Sequence, residues 1–164
     1  MTRMWTVLYI GSIVLVNWLF VAVPPLSTPL GDLYLATLVV GAVFVLRDYA
    51  QREVGHKILL ATFVAGVITW YMTSPALAIA SLTAFFISEM ADWAIYSFTK
   101  RPLQTRILIS SIVAVPLDTF AFLYLTGFLT PASFSVEVMS KAVGVMIVFL
   151  LLRARYHRLA APAA

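Results

Sequence analysis

Residues 75–97 read PALAIASLTAFFISEMADWAIYS. At 1.5 Å rise per residue a helix of this run is about 34 Å long, enough to cross the ~30 Å hydrocarbon core of a bilayer. Two carboxylates, Glu89 and Asp92, stand inside it. At 100° per residue Ser81, Phe85, Ser88, Glu89, Asp92 and Tyr96 fall within an arc of about 100°. The other positions are mostly apolar. This pattern predicts a membrane helix with one polar stripe turned into a bundle and the rest turned to lipid.

The whole chain agrees. Of its 164 residues 62% are hydrophobic and 11% charged, against about 45–50% and about 25% in soluble domains. A soluble fold could not cover itself with so few polar groups. With no cysteine, disulfides, thiolate metal sites and cysteine nucleophiles are excluded. The net charge of +4 does not point to nucleic acid, because the basic residues are spread over short loops.

Outward from 75–97, five further apolar runs predict helices at about 5–23, 32–46, 58–71, 107–129 and 134–152, with a tail at 153–164 whose end, 159–164, is expected to be disordered. Residues 32–46 and 58–71 are short for ~20-residue spans. Pro24-Pro25 and Pro29-Leu30-Gly31 cannot continue a helix. Thr73-Ser74-Pro75 and Thr130-Pro131 put a hydroxyl before a proline, an N-cap followed by N1. The run at 5–23 is long for a secretory signal and lacks a small-residue cleavage site, so it reads as a retained first helix.

Lys and Arg give the orientation. Arg3, then Arg47, Arg52 and Lys57, then Lys100, Arg101 and Arg106, then Arg153, Arg155 and Arg158 all fall on one side of a six-helix arrangement. The three opposite loops contain none. The expectation is an all-α polytopic bundle, one domain over 1–164, with six transmembrane helices and both termini cytoplasmic.

Five ionisable groups lie inside the expected spans: Glu89, Asp92, Asp118, Glu137 and Lys141. Each costs about 2.5–3.5 kcal/mol at mid-helix on insertion scales, and such residues mark functional sites. Asp118 follows Pro116, where a missing backbone donor can open the helix onto a cavity. Glu137 and Lys141 are spaced i,i+4 with the acid first, the better order for a helical pair. Asn17 is the strongly polar group of the first run, and could equally join helices. Asp32 falls at the outer interface; Asp48, Arg52 and Glu53 read by default as loop charges. Carboxylates with one lysine suit a ligand carrying adjacent N–H donors and a carbonyl, such as a guanine-like edge. Phe85, Phe122 and Tyr124 could supply stacking surface.

Several stretches, running from about Val16 to Arg155, carry a family resemblance: Val16-Asn17-Trp18; Arg47-Asp48-Tyr49-Ala50-Gln51-Arg52-Glu53-Val54-Gly55 (D-x-x-x-[E/R]-x-x-G); Ala80-Ser81-Leu82-Thr83-Ala84-Phe85 leading to Glu89 and Asp92; Asp118-Thr119-Phe120-Ala121-Phe122 (D-T-x-A-F); and Glu137 with Lys141. In this order they resemble the queuosine precursor transporter family, also called the vitamin uptake transporter family. This chain is shorter than many members. The resemblance implies uptake of 7-deazaguanine precursors of queuosine, 7-cyano-7-deazaguanine (preQ0) or its aminomethyl relative (preQ1), for salvage into tRNA.

The expected substrate site therefore comprises Asn17, Ser81, Glu89, Asp92, Asp118 and Lys141, with Asp48, Arg52 and Glu137 at a gate or coupling site. Asp118 or Glu89 would accept the N–H pair of the base, Lys141 would donate to its carbonyl, and Asn17 would add amide selectivity. Asp92 and Asp118 are candidates to carry a coupled proton. Neither metal nor cofactor is expected, nor a nucleic-acid partner. The partners are a small deazapurine and the lipid of the inner (cytoplasmic) membrane, and a homodimer is compatible. A substrate-binding subunit of an energy-coupling-factor transporter has similar size and helix number and would need ATPase partners, since no Walker motif is present. An enzyme is not expected: there is no G-x-S-x-G or H-E-x-x-H. The rival from that class is a membrane-embedded enzyme pairing Asp92 with Asp118.

Overall fold

The computed structural model describes residues 3–29 and 31–160. It contains helices α1 (Met4–Ala22), α2 (Leu35–Val54), α3 (Ile58–Met72), α4 (Pro75–Phe98), α5 (Leu103–Thr126) and α6 (Pro131–Ala160). A two-stranded hairpin, β1 (Leu26–Thr28) and β2 (Gly31–Leu33), joins α1 to α2. The strands pair antiparallel, Leu26 opposite Leu33 and Ser27 opposite Asp32. Residues 161–164, the end of the expected disordered tail, lie outside the described residues, while 159 and 160 belong to α6.

The helix boundaries differ from the sequence expectation chiefly in three helices: α5 spans Leu103–Thr126, not 107–129, because Pro102 opens it and Gly127 ends it, and α2, whose expected start at 32 falls in β2, and α6 differ as follows. Charge at Arg47 and Asp48 suggested that the second helix stops at 46, but α2 runs on to Val54 and ends at Gly55. No proline or glycine interrupts 47–54, and Arg47 and Asp48 are fully buried with partners instead of solvated. The sixth helix starts at Pro131 and runs to Ala160, not 134–152. Thr130 caps it: its Oγ1 accepts the backbone N–H of Ser133 at 3.0 Å. Ser74 precedes Pro75 at N1 as expected, but makes no side-chain cap bond. Pro116 lies inside α5 without ending it.

The helices close a ring in the order α1, α2, α6, α5, α4, α3, with α2 also touching α5. Among neighbours in the ring, α3 and α4 meet least extensively, and α4 and α5 most. One apolar cluster joins α1, α2 and α3 through Tyr9, Ile13, Val43, Ile58 and Ala65. A second joins α2, α5 and α6 through Phe44, Val45, Ala114, Val145 and Phe149. Between α2 and α6 the backbones touch. A Cβ added at Gly41 would lie 2.0 Å from the Lys141 carbonyl oxygen, and one at Gly144 1.9 Å from that of Leu38. Thr37 and Ser140 share a 2.6 Å hydroxyl bond beside this crossing. α5 ends at Gly127, whose φ of +75° suits glycine, with the Phe128 N–H closing on the Leu123 carbonyl at 3.0 Å.

Burial is inverted relative to a soluble protein. Arg47, Asp48 and Asp92 are 0% exposed, whereas Val21 and Ile112 are each 72% exposed. Apolar side chains outside and charges inside are what a lipid solvent selects. Four helical stretches among the described residues are long and apolar enough to cross a membrane: Met4–Ala22, Leu35–Met72, Leu103–Thr126 and Pro131–Ala154. The second of these joins α2 and α3 through the single turn Gly55–Lys57. α4, which carries Glu89 and Asp92, is not among the four.

Candidate functional site: two buried charge layers

The buried charges form two layers. The first centres on Lys141 of α6. Its Nζ donates to Asp118 Oδ2 at 2.9 Å and to Thr119 Oγ1 at 3.0 Å, and pairs with Glu137 Oε2 at 3.2 Å. An ammonium has three protons, so all three are engaged. The Gly41–Gly144 contact brings α6 against α2, one turn from Lys141, and so holds this ammonium in the bundle interior. The Ser88 hydroxyl of α4 donates to the Phe85 carbonyl at 3.0 Å and also lies 3.4 Å from Asp118 Oδ1.

A chamber of about 80 Å³ adjoins this layer, lined by Asn17, Ser81, Asp118, Glu137 and Lys141, with Phe85 and Phe122 among the apolar walls. Asn17 Nδ2 donates to the Ile13 carbonyl at 2.8 Å and to Thr69 Oγ1 at 2.9 Å, which fixes the amide across α1 and α3. A second cavity of about 480 Å³ shares Asn17, Phe20, Ser81, Phe122 and Glu137 with the chamber. It extends past Asp32, Tyr34, Thr73, Thr130 and Ser133. The charged chamber is thus the closed end of a cleft that runs to the hairpin end of the bundle.

The second layer centres on Arg47 of α2. Its Nε donates to Glu89 Oε2 at 2.9 Å, Nη2 to the Glu89 carbonyl at 3.4 Å, and Nη1 to Asp48 Oδ1 at 3.1 Å and to Gln51 Oε1. Asp92 Oδ2 lies 3.3 Å from the same Nη1. Ser110 of α5 donates to Asp48 Oδ2 at 2.9 Å, and Gln51 Nε2 donates to Ser97 Oγ at 2.9 Å. Thr62 of α3 donates to Glu89 Oε2 at 3.3 Å and bonds the Tyr9 hydroxyl of α1 at 2.9 Å. Five helices are tied together near the C-terminal ends of α2 and α4 and the start of α5. Exposed Arg52, Lys57, Lys100 and Arg101 mark this end of the bundle.

The expected site residues are therefore divided. Asn17, Ser81, Asp118 and Lys141 meet around one chamber, and Glu137, expected at a gate, joins them. Glu89 and Asp92, expected at the substrate, belong to the Arg47 layer, as does Asp48. Asp48 is not a solvated loop charge, because it sits inside the extended α2. Arg52 is exposed and outside both layers. Tyr124 is 66% exposed, stacks on Phe120 and does not line the chamber. Asp92 and Asp118 contact different cations, so the paired-aspartate arrangement of an enzyme is not assembled.

Arg47 is the residue that the sequence reading missed, having counted it as a loop charge. Its signal was charge balance: four carboxylates and one lysine in the expected spans ask for a second cation. Arg47 follows an apolar run directly, with no helix breaker before Gly55.

A recess of about 580 Å³ between α3 and α4 is walled chiefly by groups such as Phe63, Trp70, Phe86 and Met90 and touches the polar layers only at Thr62 and Glu89. Its apolar lining offers little to orient a polar ligand, so the smaller polar chamber is the candidate site.

No curated protein and no solved structure matches the chain at a significant level. A family model described as "Putative vitamin uptake transporter" matches residues 4–163, nearly the full length. The buried charge layers and lipid-facing helices described above thus belong to a member of the vitamin uptake transporter family.

Proposed function

We propose that this protein imports a queuosine precursor, preQ0 or preQ1, across the inner membrane, with six spans and both ends in the cytoplasm. The observation that carries the reading is the Lys141–Asp118–Glu137 cluster at the closed end of a cleft leading to the hairpin end. The chamber alone is too small for a bicyclic base. Chamber and cleft together fall in the ~300–1,000 Å³ range of ligand sites. A deazaguanine entering from the cleft would slide between Phe85 and Phe122. Its ring N–H and exocyclic amine would displace Lys141 from Asp118, giving the carboxylate two parallel donors. The released ammonium would turn to the base carbonyl, still held by Glu137. The exchange keeps every buried charge partnered, so it avoids an uncompensated ion at mid-membrane.

With the hairpin end outside, the cleft is the outward-open pathway and the Arg47 layer is the closed inner gate. Inward release then requires Arg47 to part from Glu89 and Asp92 as the helices rock around the chamber.

The test is rescue of cells that can neither synthesise preQ0 nor import it. Expression with nanomolar preQ0 or preQ1 should restore queuosine in tRNA, and Asp118→Asn should reduce it at least tenfold at equal membrane abundance. Full rescue by Asp118→Asn would remove Asp118 from the site. No rescue with either compound would redirect the assignment to another polar ligand, or to an energy-coupling subunit if an ATPase copurifies.

A further inference from the structure

The Arg47 layer holds more negative charge than it can balance. Asp48, Glu89 and Asp92 are at most 1% exposed and face one guanidinium. Fully ionised, they would leave two net negative charges buried, which low-dielectric surroundings penalise by several kcal/mol each. Bonding is also incomplete: Asp92 Oδ1 and Oδ2 and Glu89 Oε1 have no hydrogen-bond partner among the described residues. Asp48 and Asp92 meet on a single nitrogen, Arg47 Nη1, at 3.1 and 3.3 Å. One guanidinium cannot neutralise three carboxyls, and a proton on Asp92, both of whose oxygens lack a hydrogen-bond donor among the described residues, removes one of the two surplus charges.

We propose that Asp92 and Asp48 form a proton-binding site, and that the proton bound there is co-transported with the substrate. The second half rests on the uptake function proposed above; the first does not. A proton fits the geometry better than a metal ion, because the Arg47 guanidinium already occupies the place between the three carboxyls, and no group of side chains arranged to hold a metal is found among the described residues. The groups facing the site are Tyr9 of α1, Arg47 of α2, Glu89 and Tyr96 of α4, and Arg106 of α5, which lies 5.3 Å over the Tyr96 ring. α3 contributes Thr62 and α5 also Ser110. No basic group other than Arg47 pairs with the three acids among the described residues.

The coupling runs along α4. Ser88 shares its hydroxyl between the Phe85 carbonyl at 3.0 Å and Asp118 of the chamber at 3.4 Å, whereas Glu89, one residue on, and Asp92, one turn on, bind Arg47. A ligand that draws Asp118 away from Ser88 shifts the helix that carries the gate carboxylates. In the closed layer the proton is already in place: a hydronium ion has left it as an O–H bond on an Asp92 oxygen, releasing water, and Asp48 accepts the hydrogen bond. Arg47 then faces one charge fewer, so its remaining hold on α4 gives way when bound substrate shifts that helix. The inner end opens, and substrate and proton leave on the same side.

Two measurements test this. Infrared spectra of the purified protein in lipid at neutral pH should contain a protonated-carboxyl band that shifts in D2O. The band should vanish in Asp92→Asn and in Asp48→Asn and persist in Asp118→Asn. Its absence from the unsubstituted protein, or its persistence in both gate variants, overturns the site. In proteoliposomes with the potential clamped, a gradient of one pH unit, alkaline inside, should raise preQ0 accumulation about tenfold for one proton per neutral substrate. In Asp92→Asn, preQ0 accumulation relative to the rate of preQ0 exchange should no longer respond to the gradient. Exchange without any response to the gradient, or equal accumulation by Asp92→Asn, overturns the coupling. If no variant exchanges preQ0, the uptake reading fails while the infrared result still decides the proton.

Discussion

Arg47 shows how one side chain organises a membrane interior. Its guanidinium donates from three nitrogens to groups on α2 and α4, a fork that lysine cannot reproduce. Removing it leaves three buried carboxylates without their cation. Breaking a buried ion pair on one side costs about 3–5 kcal/mol, whereas neutralising all members together is often tolerated. Arg47→Met should therefore lower the thermal midpoint of the detergent-solubilised protein sharply. Adding Glu89→Gln and Asp92→Asn to it should recover most of the loss. Size-exclusion after heating would check both, and equal instability of the single and triple variants would mean that packing, not charge, is the contribution of Arg47. The residue scale is also where the sequence misled: charge next to an apolar run reads as a loop until a partner is known, and these partners lie 42 and 45 positions away on α4.

At the scale of elements, the contact between α2 and α6 positions the chamber. Gly41 and Gly144 have no room for a side chain, and the obstructing atoms are backbone rather than flexible side-chain ends. A methyl group at either position must push the helices apart, which moves Lys141 away from Asp118. Gly144→Ala should reduce uptake at least tenfold and lower stability by about 1–3 kcal/mol, the range for overpacking. Gly11, with nothing within 4 Å of an added Cβ, is the control: Gly11→Ala should be close to neutral. Unaltered uptake by Gly144→Ala would show that the helices slide freely here. The helix ends were partly legible. Pro75 and Pro131 open helices and Thr130 caps one, as hydroxyl-proline pairs predict. The hairpin at Leu26–Leu33 shows in the sequence only as a break, because three-residue strands carry too little alternation to register.

At the scale of the molecule, the ring of helices is open toward the hairpin end and tied shut by the Arg47 layer at the other. The chain has no cysteine, so single cysteines can report this asymmetry directly. Ser81→Cys should react with a membrane-impermeant thiol reagent added from outside, and preQ0 should slow the labelling several-fold. Ser97→Cys, beside Gln51 in the closed layer, should resist reagent from inside until preQ0 is supplied. The opposite pattern would invert the resting state or the orientation. By itself the sequence determined that the protein is helical and lives in lipid, since composition and apolar run length decide which solvent a chain can tolerate. It also placed a polar stripe on α4 and marked most of the charges that matter, because an ionisable group in an apolar run is too unfavourable to stand there without purpose. Only the tertiary structure decided the sorting: Lys141 with Asp118 and Glu137 in one layer, Arg47 with Asp48, Glu89 and Asp92 in another. Helical periodicity sets which residues share a face, but which faces meet depends on close approaches such as Gly41 to Gly144, and these exist only once the helices have packed.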